Sequence, residues 1–234
     1  MIPISDENPA RLTPFVTWGL IAACVAVFFW QILGFSEDQE RALILTLAFV
    51  PQNLFNNAVT YRLAGIPWPW LTLLTSMFLH GGFLHLGGNM LYLWIFGNNV
   101  EDAMGHMRYF LFYLGCGVVA ALTQGIMTPD SDVPMLGASG AISGVLASYV
   151  LIYPKARVNV IIPLGILLYP AKISAFYVVG FWFLLQLLNI AMTAPGAPGT
   201  AWGAHIGGFV VGLLLTPMLS NFPLFGRRTG GPWG

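Results

Sequence analysis

Six stretches of the chain are nearly free of charged residues and are long enough, or almost long enough, to cross a lipid bilayer. They are residues 15–33, 82–100, 109–128, 139–153, 173–194 and 202–222. A helix needs about 20 mostly apolar residues to cross the hydrocarbon core. Because lipid cannot satisfy unpaired backbone groups, apolar stretches of this length favour helices. We therefore predict an all-α polytopic membrane protein with a six-transmembrane-helix bundle in residues 15–222.

The amino-acid composition supports a protein that faces lipid. Of 234 residues, 57% are apolar and only 8% are charged, whereas about 25% are charged in an ordinary soluble domain. The formal net charge is zero, so the chain lacks the basic surface of a nucleic-acid-binding protein. Cys24 and Cys116 lie inside apolar stretches, and we interpret them as buried thiols rather than as a disulfide or a reactive site.

Lysine and arginine are unevenly distributed between the loops. If residues 1–14 form a short cytoplasmic segment, seven of the nine lie on the inner side and two, Arg41 and Arg62, on the outer side. Because cytoplasmic loops carry an excess of Lys and Arg, we predict that both termini, including a tail at residues 223–234, are cytoplasmic. No small-x-small cleavage site follows residues 15–33, so we interpret this stretch as a retained helix.

Two shorter apolar runs, residues 42–50 and 160–168, are too short to span a membrane. Pro51 follows the first run, whereas the second contains Pro163 and is followed by Pro170. Because proline interrupts helices and neither run reaches spanning length, we predict interfacial or re-entrant segments at these places.

The predicted topology brings polar residues from separate spans to one depth of the membrane. The second, fourth and sixth spans all start at the outer face. Near these starts lie His85 and Asn89 in the second span, Ser139 in the fourth, and His205 in the sixth. The fourth span has 15 residues, which cover about 22 Å of the ~30 Å core. Its Ser139 end should therefore lie below the outer surface, at the floor of a water-filled pocket that opens outward.

Ser139 and His205 are the candidate nucleophile and general base. A serine at a helix start lies beside free backbone N–H groups that stabilise an oxyanion. The alternative is that Ser139 is only a helix N-cap, and that His205 makes a structural interhelical hydrogen bond. Gly208 and Gly212 share the helical face of His205 and would let the sixth span approach a neighbour closely. We find no carboxylate placed to orient the imidazole, so a dyad is predicted.

His85 and Asn89 are spaced four residues apart and share one face of the second span. Both side chains can donate hydrogen bonds, so they are candidates for a supplementary oxyanion hole. The alternative is a metal site, but zinc requires three or four Cys, His or carboxylate ligands. The stretch offers too few ligands at this depth, and no His-Glu-x-x-His motif occurs. We predict neither a metal nor a cofactor.

Three motifs together resemble the rhomboid family of intramembrane serine proteases. They are the run His80-Gly-Gly-Phe-Leu-His85-Leu-Gly-Gly-Asn89-Met90, the turn Gly137-Ala138-Ser139-Gly140, and Ala204-His205-Ile206-Gly207-Gly208. They occur in the order of the family, in the second, fourth and sixth spans. The resemblance implies that Ser139 is the nucleophile and His205 the general base and acid. It also implies an oxyanion hole made of His85, Asn89 and the Ser139 backbone N–H.

The resemblance also implies structural roles. His80 matches a histidine that supports the first loop, and Glu101 an acidic residue near the inner end of the second span. We predict that Gly137, Gly140 and Gly208 are structural as well. The fifth span, with the loop at residues 195–200, would be the gate by resemblance. One departure concerns the first loop: Leu71 and Thr72 stand where many relatives carry Trp-Arg, which affects how the loop meets lipid.

The sequence thus predicts an endopeptidase that cleaves peptide bonds within or beside transmembrane segments of other membrane proteins. The predicted partners are these transmembrane substrates and the lipid bilayer; the oligomeric state is not predicted. We place the protein in a prokaryotic inner membrane, with the active site open to the extracytoplasmic side. One alternative is a catalytically inactive rhomboid-like protein that binds membrane helices. Another is a small-molecule transporter with a polar cavity, which no inverted repeat supports.

Overall fold

The computed structural model of the chain describes residues 1–56, 69–193 and 199–222. In these residues nine α-helices are present: α1 (Phe15–Leu33), α2 (Glu37–Leu47), α3 (Pro51–Phe55), α4 (Thr72–Thr75), α5 (Phe83–Met104), α6 (His106–Met127), α7 (Ser139–Ile152), α8 (Ala175–Met192) and α9 (Trp202–Leu219). Short 3-10 turns at Pro69–Leu71 and Ser76–Phe78 flank α4. The predicted tail at residues 223–234 and residues 194–198 of the predicted fifth loop lie outside the described part.

Helices α1, α6, α8 and α9 are each long and apolar enough to cross a membrane. Helix α5 has 22 residues but includes several polar ones, and α7 has only 14 residues. Large apolar side chains on the outside of the bundle, such as Leu184 and Leu214, are exposed as a lipid-facing protein requires. The chain is therefore a mostly helical polytopic membrane protein. The count of six spans, and the side on which the termini lie, stay predictions.

The helix bounds differ from the predicted spans mainly where charges are buried. Helix α5 continues to Met104, past the predicted end at residue 100, and α6 begins at His106 instead of residue 109. The extra turn of α5 carries Glu101 and Asp102, both buried. Hydropathy treats charged residues as the end of a span, whereas here the carboxylates accept hydrogen bonds inside the protein. Helices α8 and α9 end slightly earlier than predicted, at Met192 and Leu219.

A three-stranded antiparallel sheet in the order β1-β2-β3 was not predicted. Its strands are β1 (Ile2–Asp6), β2 (Arg157–Leu164) and β3 (Leu167–Ser174). The run at residues 160–168 is thus a β-hairpin that turns at Gly165, where φ is +64°, and not a re-entrant segment. Pro170 is tolerated because β3 is an edge strand, and Pro163 lies beyond the residues that pair with β1.

Glu101 fastens the start of α1 to the end of α5. Its carboxylate accepts hydrogen bonds from the backbone N–H groups of Val16 and Thr17, at 2.9 and 2.8 Å, and from the Thr17 hydroxyl at 2.7 Å. His106 Nδ1 lies 2.6 Å from the same carboxylate. A negative group at a helix N-terminus satisfies free N–H groups and favours the positive end of the helix dipole. Neighbouring Asp102 accepts hydrogen bonds from the N–H groups of Arg11 and Leu12, in the segment before α1.

Helices α7 and α9 contact each other through glycines. A Cβ on Gly208 would overlap the carbonyl oxygen of Gly140, and a Cβ on Gly212 would lie 2.6 Å from the Cα of Gly144. Gly140 in turn has no room for a side chain because its Cβ would lie 2.6 Å from the Ala120 Cβ on α6. Small residues let helix backbones approach closely in membranes. This glycine contact fixes the distance between the first turns of α7 and α9.

Candidate active site

The first turns of α7 and α9 bring a serine and a histidine together. Ser139 Oγ lies 2.8 Å from His205 Nε2, which is hydrogen-bond distance. The two residues are 66 positions apart in the chain, so only the contact between the helices joins them. Ser139 is half-buried, and His205 is only 8% exposed.

Ser139 does not cap its helix. The N-cap of α7 is Ala138, and no side chain hydrogen-bonds to the free N–H groups at this end. Ser139 is the first residue of the helix, and its hydroxyl points to His205 instead. The alternative interpretation of Ser139 as an N-cap is therefore wrong. The N–H groups of the first turn keep their capacity to bind a negatively charged oxygen.

A third side chain contacts the other nitrogen of the imidazole. Gln186 Oε1, on α8, lies 2.8 Å from His205 Nδ1. Two indoles enclose the same ring, since the Trp182 and Trp202 ring centroids lie 5.8 and 6.0 Å from it. The imidazole is thus held from α8 and from its own helix. Neither Gln186 nor Trp182 was predicted as a site residue.

His85 and Asn89 lie on α5 and line the same cavity as Ser139. The Gly81 N–H points to His85 Nδ1 at 3.4 Å, an arrangement in which Nδ1 accepts and Nε2 carries the proton. Asn89 Nδ2 is buried and has no hydrogen-bond partner among the described residues. An unpaired buried donor is costly, and because Asn89 lines the cavity, this donor is available to an acceptor bound there.

Gly137 leaves the space that these donors face. Its φ is +116°, and a Cβ there would lie 2.7 Å from His85 Cε1 and Nε2 and 3.5 Å from Asn89 Nδ2. Both the backbone conformation and the space favour glycine. The Gly137 N–H donates to the Ser76 carbonyl oxygen at 2.8 Å, which holds the segment before α7 in place.

His80 lies behind this group of residues and does not line the cavity. It is fully buried, its backbone is hydrogen-bonded to the Gln31 side chain at both N–H and carbonyl, and its Nδ1 lies 3.2 Å from the Phe78 carbonyl oxygen. Burial, together with the smaller effect of nearby His85, lowers the pKa of His80 to about 4. Its position supports the segment before α5.

The five polar residues of the site share one cavity of about 840 Å³. Ser139, His205, His85, Asn89 and Gln186 all line it, and its wall continues over the segment from Val133 to Gly137 and the end of α6. Irregular backbone near membrane depth is expected only where it lines such a cavity. The arrangement offers a hydroxyl, a base and several hydrogen-bond donors to one bound carbonyl group.

Among the site residues, Gln186 was missed by the sequence analysis. It is one of two amides, with Asn189, in an otherwise apolar fifth span, and this isolation was the one available signal. The dyad prediction considered only carboxylates as partners of the imidazole. Glu101 was rightly set aside as a partner because its carboxylate binds the start of α1 instead.

The fold and the site together define a class of protein. It is a helical membrane protein with an internal cavity in which a serine hydroxyl is hydrogen-bonded to an imidazole. Residues 67–222 match the family model described as the Rhomboid domain. The chain belongs to the rhomboid family.

Several proteins with known names resemble the chain. Rhomboid-like protein 11, chloroplastic, from Arabidopsis thaliana is 31% identical over 66% of this chain and 54% of its own length. Rhomboid-type serine protease 2 from Emericella nidulans is 33% identical over 64% of this chain and 27% of its own length. Rhomboid protease AarA from Providencia stuartii is 28% identical over 92% of this chain and 76% of its own length.

These names support serine proteolysis in the membrane as the activity at the level of the family. The chain spans about half or less of the length of the first two of these relatives. The similarity therefore does not show that the chain has the activities of those whole proteins. The relatives include chloroplastic and bacterial proteins, so the similarity does not show in which cellular membrane this chain lies. The chain is an integral membrane protein; the prokaryotic inner membrane stays a prediction.

Proposed function

We propose that the chain is an intramembrane serine endopeptidase that cleaves peptide bonds within or beside transmembrane segments of other membrane proteins. The observation that carries the proposal is the 2.8 Å hydrogen bond between Ser139 Oγ and His205 Nε2 inside a membrane bundle. A nucleophile requires a base at this distance. The family's protease names and the donors beside the serine support the same function.

In the first half of the reaction, Ser139 attacks the carbonyl carbon of the scissile bond. The hydroxyl proton moves to His205 Nε2 as the Oγ–C bond forms, and the carbonyl oxygen becomes an oxyanion. His85 Nε2–H, Asn89 Nδ2–H and the Ser139 backbone N–H are the donors we assign to that oxyanion. The imidazolium then gives its proton to the leaving nitrogen, the C–N bond breaks, and an acyl group stays on Ser139.

In the second half, water removes the acyl group. His205 Nε2 takes a proton from the water as its oxygen attacks the ester carbon, and the same donors bind the second oxyanion. The C–Oγ bond then breaks, Ser139 regains a proton from the imidazolium, and a carboxylic acid is released. The cavity of about 840 Å³ has room for this water.

The substrate must present an extended backbone to Ser139. Helical hydrogen bonds shield carbonyl groups, so we propose that substrates unwind locally before they are cut. Weak helix formers such as Gly and Pro near the cleaved bond would reduce the cost of unwinding. The proposed partners are therefore transmembrane proteins with such residues.

We also propose that both termini are cytoplasmic and that the cavity opens to the other side of the membrane. The pairing of β1 with β2 supports a common side for the N-terminus and the α7–α8 connection. Lys155, Arg157 and Lys172 lie in or beside that connection, and such residues favour the cytoplasmic side.

The proposal is tested with a fluorescently labelled transmembrane peptide in detergent or in liposomes. Cleavage by the full chain is expected, with a loss of about 10⁵–10⁶ in rate for Ser139→Ala. Ser148→Ala is a matched control, because Ser148 is buried in the same helix and does not line the cavity. A fluorophosphonate probe should label the wild type at Ser139. Cleavage by the Ser139→Ala variant at the wild-type rate would contradict the mechanism.

The same experiment separates the alternatives. A wild type that binds the peptide without cutting it, and that no fluorophosphonate labels, would be a rhomboid-like protein that only binds membrane helices. A wild type that neither binds nor cleaves the peptide, but that accumulates a small solute in liposomes, would be a transporter.

A further inference from the structure

Gln186 is a buried polar residue on α8, a helix most of whose apolar side chains are not buried. Of the α8 residues, only Ala175, Val178, Val179 and Gln186 are buried. Gln186 is 4% exposed, whereas Leu184 and Leu188 are 50% and 49% exposed. Burial of an amide is costly unless the amide is hydrogen-bonded. The partners of Gln186 therefore explain why it lies inside.

Both ends of the Gln186 amide have partners, and together they fix its orientation. Gln186 Nε2 donates to the Trp182 carbonyl oxygen, one turn earlier, at 2.8 Å. Oε1 lies 2.8 Å from His205 Nδ1. A flipped amide would place its oxygen against the Trp182 carbonyl oxygen, and two acceptors cannot bond. The observed orientation therefore offers the imidazole an acceptor.

An acceptor at Nδ1 determines which nitrogen of His205 carries the proton. Neutral imidazole has one N–H and one lone pair. If Nδ1–H donates to Gln186, the lone pair lies on Nε2, where it faces the Ser139 hydroxyl at 2.8 Å. Only this tautomer can take the serine proton. In the opposite tautomer, Nε2–H would compete with the serine hydroxyl as a donor.

We propose that Gln186 is a positioning residue for His205, an uncharged counterpart of the carboxylate in a Ser-His-Asp triad. It holds the ring in the plane and tautomer that Ser139 needs. The neutral amide does this without placing a charge in the membrane interior, where an ionised group is costly. The inference rests on the proposed function for its catalytic meaning, but the tautomer can be measured without activity.

The kinetic test compares Gln186→Leu, Gln186→Glu and the wild type on the labelled transmembrane peptide. For Gln186→Leu we expect kcat to fall about tenfold to a hundredfold, with KM within about twofold, because the lost hydrogen bond aligns the base and does not bind substrate. Gln186→Glu in its protonated form can donate to the Trp182 carbonyl oxygen and accept from His205 Nδ1, as the amide does, so it should recover most of the kcat.

Asn189→Leu is the matched control. Asn189 is an amide on the same helix whose Nδ2 donates to the Leu185 carbonyl oxygen and does not contact His205. Its replacement should leave kcat and the pH profile unchanged. If Gln186→Leu and Asn189→Leu behave alike, or if Gln186→Glu is as slow as Gln186→Leu, Gln186 does not position the histidine.

The spectroscopic test uses the full chain labelled with ¹⁵N-histidine. The His205 signals are assigned by their loss in His205→Gln. The proposal expects a protonated Nδ1 and an unprotonated Nε2 in the wild type at neutral pH, and a mixture of tautomers in Gln186→Leu. A protonated Nε2 in the wild type would overturn it, even if no variant is active. A wild type with the expected tautomer but no cleavage would instead contradict the proposed function.

Discussion

The backbone of Gly208 on α9 rests against the carbonyl oxygen of Gly140 on α7, and a Cβ at position 208 would overlap that oxygen. Ser139 precedes Gly140 by one residue, and His205 precedes Gly208 by one helical turn. The place where the two helices touch is thus adjacent to both members of the proposed dyad. The hydrogen bond between Ser139 and His205 depends on this close approach.

Gly208→Ala should separate the two helices. A methyl group there must displace backbone, which typically costs about 1–3 kcal/mol in a well-packed core. It should also lengthen the Ser139–His205 distance and lower the cleavage rate at least tenfold. Gly115→Ala is the control, because a Cβ at Gly115 meets no atom within 4 Å. Peptide cleavage and unfolding in denaturing detergent measure both effects; equal behaviour of the two variants would contradict the prediction.

Asn89→Leu should slow the chemical step. The substitution preserves approximate size but removes the buried Nδ2 that has no partner in the described residues. Loss of one oxyanion donor costs about 10²–10³ in kcat in a soluble serine protease, and we expect a loss of tenfold or more here. Asn98→Leu, near the other end of α5, should be close to wild type. A change in KM alone would show that Asn89 binds substrate and not the oxyanion.

Glu101→Gln should destabilise the bundle without altering the dyad chemistry. The Val16 and Thr17 N–H groups donate to different oxygens of the carboxylate, so the amide nitrogen of glutamine would place a donor against one of them. We expect a loss of about 2–4 kcal/mol in the free energy of unfolding. Glu37→Gln, at an exposed carboxylate on α2, should change it by less than about 0.5 kcal/mol. Detergent-induced unfolding followed by tryptophan fluorescence compares the two.

Asp6 should make the stability of the protein depend on pH. Burial raises the pKa of its carboxyl from 3.8 to about 6. Between these values the folded chain binds more protons than the unfolded chain, so the free energy of unfolding falls as pH rises through this window. The full cost, about 3 kcal/mol, is present above pH ~6.

Asp6→Asn should remove this pH dependence, because an amide does not titrate between pH 4 and pH 8. The amide oxygen can still accept the Tyr149 hydroxyl, which now lies 2.5 Å from Asp6 Oδ2. Unfolding measured at pH 4.5 and pH 8 tests the prediction. The variant should be at least as stable as the wild type at pH 8. Asp38→Asn, at an exposed carboxylate, should keep the wild-type pH dependence; an Asp6→Asn variant that keeps it as well would show that another group is responsible.

Local patterns predicted the helical membrane fold, and α1 begins and ends where its uncharged run does. Hydropathy could not extend α5 to Met104, because it reads Glu101 and Asp102 as exposed. It also missed the sheet, because Ile2–Asp6 pairs with residues far along the chain. Such pairing leaves no local periodicity. The β-hairpin of β2 and β3 depends on the turn at Gly165, and a hydropathy pattern does not indicate such a turn.

His85, Asn89, Ser139 and His205 line one cavity, and their grouping was predicted from the direction and length of the helices, which a sequence contains. Gln186 could not be found in this way, because its role depends on the rotation of α8 about its axis. An isolated amide in an apolar helix carries no periodicity. Its partner, His205, lies 19 positions away, on a helix whose orientation relative to α8 only the packing determines.

The sheet also has a consequence for biogenesis. Asp6 and its partner Tyr149 are 143 positions apart, and the strand that pairs with β1 is made later still. The N-terminal residues therefore leave the ribosome with no strand to join, while α1, α5, α6 and α7 are being inserted. Pairing of β1 with β2 requires that these helices already have the correct orientation. Pairing of β1 with β2 would thus be a late step of folding, which follows the insertion of these helices.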